Sequence, residues 1–174
     1  EGLTIIDLND LENGISLVKR QTTDQSAHNI YISNIDYGLN IPLAGQTPAV
    51  HILGSNNVNG SFRSYSLTDP ETLGSTYSKS NSNQNDYTHD AASLTISDAR
   101  AQTDCVQANN SDCLVFLDFN EDSLRIWDHS DNNNAIELGT GNYPNAEYTH
   151  SGWWSADQQY VIVHDELDEH RRGI

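Results

Sequence analysis

Tyr87-Thr88-His89-Asp90-Ala91-Ala92-Ser93-Leu94-Thr95-Ile96 is the stretch on which the reading of this chain turns. Its leading residues return as Ser26-Ala27-His28-Asn29 and as Tyr148-Thr149-His150-Ser151, so the three histidines are separated by 61 residues each time. A strand-like run follows each of them: Ile30-Tyr31-Ile32, Ala92 to Ile96, and Gly152-Trp153-Trp154. A fixed period of this size is the mark of a repeat architecture.

Working outward from these runs, the chain reads as short strands separated by turn residues. Gly2 to Leu8 and Ile15 to Lys19 come first. Ala49 to Gly54, Phe62 to Leu67 and Thr72 to Tyr77 lie between the first two histidines. Leu114 to Asp118, Ser123 to Asp128 and Ala135 to Gly139 lie between the second and third, and Tyr160 to His164 follows the third. Asn59-Gly60 is a hairpin signal. Residues 34–48, with Gly38, Pro42, Gly45 and Pro48, read as a long loop, and so do residues 78–86. No segment sustains a 3.6-residue period, which predicts an all-β fold without a long helix.

Four strands fall in each period, and four-stranded repeats packed side by side are β-propeller blades. Leu3 to Asp7, Phe62 to Ser66 and Leu124 to Asp128 occupy one place in the period, and each precedes a polar turn with Asp10, Asp69 or Asp131. The chain is therefore read as a single β-propeller region over 1–174: a half-blade at 1–25, whole blades at 26–86 and 87–147, and a half-blade at 148–174. Terminal repeats need a neighbour. The expected partners are accordingly other blades of a longer propeller, or a second half-blade within or between chains. Without Met, and starting at Glu1, the sequence reads as a processed form or a piece of something larger.

Composition narrows the function classes. The formal net charge is −17, from 25 acids against 8 bases. A nucleic-acid ligand is excluded on that balance, because a basic footprint supplies most of such affinity. No run of about 18 apolar residues is present, so no membrane span is expected. Cys105 and Cys113 are the two cysteines and flank a short polar segment. They read as one local disulfide, which points to a secreted, periplasmic or cell-surface location; a metal-binding pair is disfavoured by the lack of further cysteines.

The motifs resemble the choice-of-anchor B family, whose members carry LVIVD-type propeller repeats. Gly2 to Asp7, Ser26 to Ile30, Tyr87 to Ala91, Cys113, Asn120 to Leu124, Trp127-Asp128, Tyr148 to Trp153 and Asp165 to Glu169 carry the likeness, which spans nearly the whole chain. It implies a propeller fold and a secreted or surface-anchored bacterial protein. It implies no activity, since the family has no well-established one.

In a propeller the innermost strand of each blade lines a central channel, which would bring His28, His89 and His150 to one zone. Neutral imidazoles ligate metals, so these three, with Asp90 or the Asp165/Glu166 pair, are candidate ligands for a divalent ion such as Zn, Mn, Fe or Ca. The alternative is that each histidine bonds the backbone of the adjoining blade. Asp118-Phe119-Asn120-Glu121-Asp122 alternates oxygen ligands but lacks the Gly and distant Glu of an EF-hand, so it reads as a hairpin turn. The acidic run Asp165 to Glu169 is either solvated, bound to calcium, or closed onto the channel. Trp153 and Trp154 point to opposite faces of a strand, and an exposed one could stack on a sugar. No Gly-x-Ser-x-Gly elbow or phosphate loop is present. Catalytic residues are therefore unassigned. Three functional readings remain: a binding or scaffold module for a protein or glycan ligand, a metal-dependent hydrolase with its site in the channel, and a self-assembling protein joined through its half-blades.

Overall fold

The computed structural model describes residues 2–79, 86–108 and 112–168. Its strands are β1 (Leu3–Asp7), β2 (Ser16–Gln21), β3 (Asn29–Ser33), β4 (Ile35–Asp36), β5 (Ile41–Pro42), β6 (Ala49–Leu53), β7 (Arg63–Ser66), β8 (Ser75–Ser78), β9 (Asp90–Ile96), β10 (Cys113–Phe119), β11 (Leu124–Asp128), β12 (Ile136–Gly141), β13 (Thr149–Trp154) and β14 (Val161–Asp165). The class is all-β. Two four-stranded antiparallel sheets, β3-β6-β7-β8 and β9-β10-β11-β12, stand between the two-stranded sheets β1-β2 and β13-β14. All strands of one large sheet fall within residues 26–86, and all of the other within 87–147.

Each four-stranded sheet packs both faces against neighbouring sheets, and the alternation of side chains shows how. Between β1-β2 and the first large sheet lie Val50, Ile52, Tyr65 and Leu73, with Leu3, Ile5 and Ile32 packed on them. Between the two large sheets lie Tyr31, Leu53, Phe62, Ala91, Phe116 and Trp127. Between the second large sheet and β13-β14 lie Leu94, Val115, Leu117, Phe119 and their neighbours, covered by Trp154, Val161 and Val163. Phe116 and Leu117 are adjacent, fully buried and in different cores, as a period of two requires. Removing either would leave a cavity, at a cost of about 2–5 kcal/mol.

Polar groups tie each large sheet together in a repeated way. Asp24, fully buried, accepts from Arg63 Nη1 at 3.0 Å and from the Tyr65 hydroxyl. Asp86 pairs with Arg125 at the same 39-residue separation. A carboxylate ahead of the first strand thus clamps an arginine on the third. A third polar chain crosses the first large sheet: His51 bonds Ser33 Oγ and Ser64 Oγ, both at 2.8 Å, and Ser64 Oγ lies 3.2 Å from His129 Nε2.

Several local expectations change. Residues 34–48 are not a plain loop, because β4 and β5 pair there as a small hairpin, with the Asp36 carboxylate accepting from the amides of Gly38 and Leu39. The strand expected at 72–77 starts later, since the Asp69 carbonyl accepts from the amides of Thr72 and Leu73 and holds them in a turn. A one-turn helix, α1 (Ala99–Thr103), precedes the cysteines; Asp98 caps it by accepting from Arg100 N. Of the loop expected at 78–86, residues 80–85 lie outside the described residues. The Cys105–Cys113 disulfide is present and joins the segment after α1 to the start of β10. Asn120-Glu121-Asp122 is the hairpin turn between β10 and β11.

A crosslink across eight residues removes unfolded-state entropy worth about 2–3 kcal/mol. The double substitution Cys105→Ser with Cys113→Ser is expected to lower unfolding stability by that amount, and urea titration beside the reduced wild type checks it.

Candidate functional site

The first strands β3, β9 and β13 lie side by side, with β9 touching both of the others. This brings the three repeat histidines together at their N-terminal ends. The His28 and His89 rings are 4.1 Å apart and the His89 and His150 rings 4.4 Å apart, centroid to centroid. They form a file: His28 is exposed, His89 buried and His150 half-buried.

Backbone bonds explain why they meet. His28 N donates to Leu53 O and His89 N to Phe119 O, both at 2.8 Å, which seats each histidine on the second strand of its own sheet. The preceding residue reaches back. Thr88 N donates to Gly60 O at 2.9 Å, and Thr149 N donates to Glu121 O. Gly60 and Glu121, 61 residues apart, both have positive φ, 86° and 69°, and both lie in the turn between second and third strands of the preceding sheet. Gly60 needs its freedom, since a Cβ there would meet Tyr87 Cδ2 at 2.9 Å. The tyrosines that precede each Thr-His pair rest on these same turns; the Tyr148 hydroxyl donates to Glu121 Oε1 at 2.7 Å.

The other expected ligands are placed differently. Asp90 Oδ1 accepts from Asn29 Nδ2 at 3.1 Å and from Ala91 N at 2.8 Å, a bond between repeat-equivalent residues. Asp165 turns away from the histidines. Its carboxylate accepts from the Tyr143 hydroxyl and from the amides of Glu147, Tyr148, Leu167 and Asp168. Burial works to raise its pKa, but those donors prevail and hold it at about 2. Glu166 approaches His150, with Oε2 3.5 Å from Nε2. Of the acidic run, Glu169 lies outside the described residues. A shared Zn would need donor atoms on one point, about 2 Å from the ion. Among the described residues the one set of three candidate ligand atoms within 4.8 Å of one another is Cys105, Cys113 and Asp128. Both sulfurs there are spent in the disulfide, and Asp128 caps the amides of Val106, Gln107 and Ser130. That set has the proximity a metal site requires but only one open ligand type.

At the C-terminal ends of the same strands lies a cleft of about 590 Å³. Tyr31, Tyr37 and Trp153 form its aromatic wall, their rings 6.3–6.5 Å apart, with Trp154 stacked on Trp153 at 4.2 Å. Asp36, Gln46, Asp112 and Gln158 contribute polar groups. Asn34 is nearly buried and left-handed at φ 61°; its Nδ2 donates to Thr47 O at 2.7 Å while its Oδ1 has no partner. Thr95 Oγ1 is likewise unpartnered. Trp153 is exposed and Trp154 packs on the core, but their rings stack and line the same cleft instead of parting to opposite faces as alternation predicts. Sequence reading raised Trp153 but missed Tyr31, Tyr37 and Asn34, which belong to different strands and loops and share no linear pattern.

No protein-family model, curated protein or solved structure matches this chain.

Buried titratable groups set the pH response. Burial, then the neighbouring His28, lowers the His89 pKa; burial also lowers His129, and lowers His51 strongly with His129 adding to it. Their contribution is complete above the unfolded value near 6.5 and is lost as pH falls below it. Asp118 acts the other way. Burial pushes its carboxyl up to about 7, against the hydrogen bond from Trp127, so its contribution is complete below about 3.8 and lost as pH rises through 7. Trp127 Nε1 donates to Oδ2 at 3.2 Å, and Oδ1 has no partner. Asp118→Asn is therefore expected to gain about 1–3 kcal/mol relative to wild type between pH 5 and pH 8. Urea unfolding of both proteins at the two pH values measures this.

Proposed function

We propose that this chain is a segment of a β-propeller that works outside the cytoplasm as a binding module, and that its ligand is a neutral glycan held in the cleft of Tyr31, Tyr37 and Trp153. The observation that carries this reading is the cleft's make-up. Three aromatic rings offer flat apolar faces, and beside them a buried Asn34 Oδ1 and Thr95 Oγ1 lack partners. A few convergent polar groups in an aromatic-lined concavity suit a ligand with apolar C–H faces and hydroxyl edges. The net charge of −17 disfavours an anionic glycan.

The propeller reading is supported by the order β3, β9, β13 of adjacent first strands and by the repeated Thr-to-turn bonds. The resemblance to choice-of-anchor B repeats points the same way, and the Cys105–Cys113 bond fits an oxidising compartment. No helix among the described residues is long and apolar enough to cross a membrane.

Affinity electrophoresis against a panel of neutral and anionic polysaccharides tests the proposal. At least one neutral polysaccharide should retard the protein, and Trp153→Ala should weaken that retardation at least about tenfold, a loss of about 1.4 kcal/mol. Retardation by none of them sinks the reading.

The competing reading is a divalent ion at His28, His89 and His150, structural or hydrolytic, and the gathering of those rings is what favours it. In our reading the file is structural, with His89 Nδ1 bonded to the His150 carbonyl at 3.1 Å. Elemental analysis after dialysis should then find no stoichiometric ion, and His89→Ala should cost about 1–2 kcal/mol of stability. One ion per chain, lost in His89→Ala, would move the function to the histidine end.

A further inference from the structure

Two unsatisfied polar atoms in the cleft are related by the repeat. Asn34 and Thr95 are 61 residues apart, at the C-terminal ends of β3 and β9, the first strands of the two four-stranded sheets. Both line the cleft. Asn34 Oδ1 and Thr95 Oγ1 each lack a partner within the protein, so they do not bond each other either. The third repeat has Ala156 in the same place. A buried polar atom without a partner costs stability, and folded chains carry few of them. Two at one position of neighbouring sheets, facing one cleft, are the pattern of a site that waits for a ligand to complete it.

What each atom can accept is defined by its surroundings. Asn34 Nδ2 donates to Thr47 O at 2.7 Å, which orients the amide and leaves Oδ1 purely an acceptor. Leu43 N donates to the Asn34 carbonyl at 2.9 Å, and the residue is 4% exposed, so that acceptor is held in position. The Thr95 hydroxyl has a proton to give. Apolar side chains stand beside both. Leu43 lines the cleft next to Asn34, and Leu114 faces Thr95 across the β9–β10 pairing. The cleft thus offers an acceptor, a donor and apolar surface close to them. A sugar hydroxyl is a single atom with no methyl, whereas a secondary acetamide has an N–H, a carbonyl and a methyl group.

We propose that the sugar bound here carries an acetamido group. Its N–H donates to Asn34 Oδ1, its carbonyl accepts from Thr95 Oγ1, and its methyl rests on Leu43 and Leu114. The assignment rests on the glycan reading of the cleft, in which the sugar ring lies on the wall of Tyr31, Tyr37 and Trp153. A peptide amide has the same polar pair but no sugar ring to cover that wall. A site built to bond a particular polar group rejects the analogue that lacks it, so the matching hydroxyl sugar binds much more weakly.

Titration of tryptophan fluorescence reads this directly, because Trp153 belongs to the wall. The ligands are the methyl glycosides of N-acetylglucosamine, N-acetylgalactosamine, glucose and galactose, with tetra-alanine amide as the peptide arm. One acetylated sugar should bind at least about tenfold more tightly than its hydroxyl counterpart. Thr95→Val has nearly the same shape and deletes an unpartnered hydroxyl, so it should raise the urea midpoint while reducing that preference to about threefold or less. A lost preference in a protein of raised stability separates binding from folding. Equal binding within each pair, or a preference unchanged in Thr95→Val, overturns the acetamido assignment and leaves the glycan reading standing. Binding of the peptide with none of the four sugars overturns both, and so does binding of no ligand together with no retardation by any polysaccharide. Retardation by a polysaccharide without binding of either acetylated sugar overturns the acetamido assignment alone.

Discussion

The amide of Thr88 donating to the carbonyl of Gly60, repeated as Thr149 to Glu121, is the constraint on which the arrangement of sheets depends. It attaches the first strand of each sheet to a turn of the one before. Once that attachment is made, the histidine amide next in line bonds its own second strand, and the ring of that histidine has one direction left to take. The left-handed backbone at Gly60 and Glu121 presents the carbonyl for this bond. A glycine bears that conformation freely, while a glutamate adopts it at some cost, offset here by its carboxylate bond to the Tyr148 hydroxyl.

The attachment serves the packing rather than replacing it. The two large sheets bury apolar side chains on both faces, so each lies between two others. The three interleaved cores are the result, and the Asp24–Arg63 pair, with its fully buried carboxylate, and the half-buried Asp86–Arg125 pair stop adjacent strands from sliding within them. A pair as deep as Asp24–Arg63 contributes little net attraction, because desolvation offsets the Coulomb energy. Losing one partner costs much more, which makes it a device for register.

The first strands have two ends, and the two differ. At one end the residues repeat, because they meet the same turn in every sheet, and the product is a file of imidazoles. At the other end they do not repeat: Tyr31, Ala92 and Trp153 hold one place in the period and differ in every copy. Variation at the opposite mouth, with aromatic rings and unpartnered polar atoms, is where a ligand would be chosen.

The sequence by itself determined the all-β class, the period, the positions of nearly every strand, the local disulfide and the meeting of the three histidines. These are matters of alternation, turn chemistry and spacing, which a linear reading records directly. The hairpin at β4-β5 and the single turn of α1 escaped it, because two-residue strands and one-turn helices carry too little periodicity. Tertiary structure alone decided the rest. Asp165 spends its oxygens on five donors gathered from both sides of β13, so a residue suited to bind a metal became a cap. The cleft was invisible for a like reason: its walls come from β3, β4, β9, β10 and β13 and the segments that follow them, whose proximity exists only after the sheets have packed.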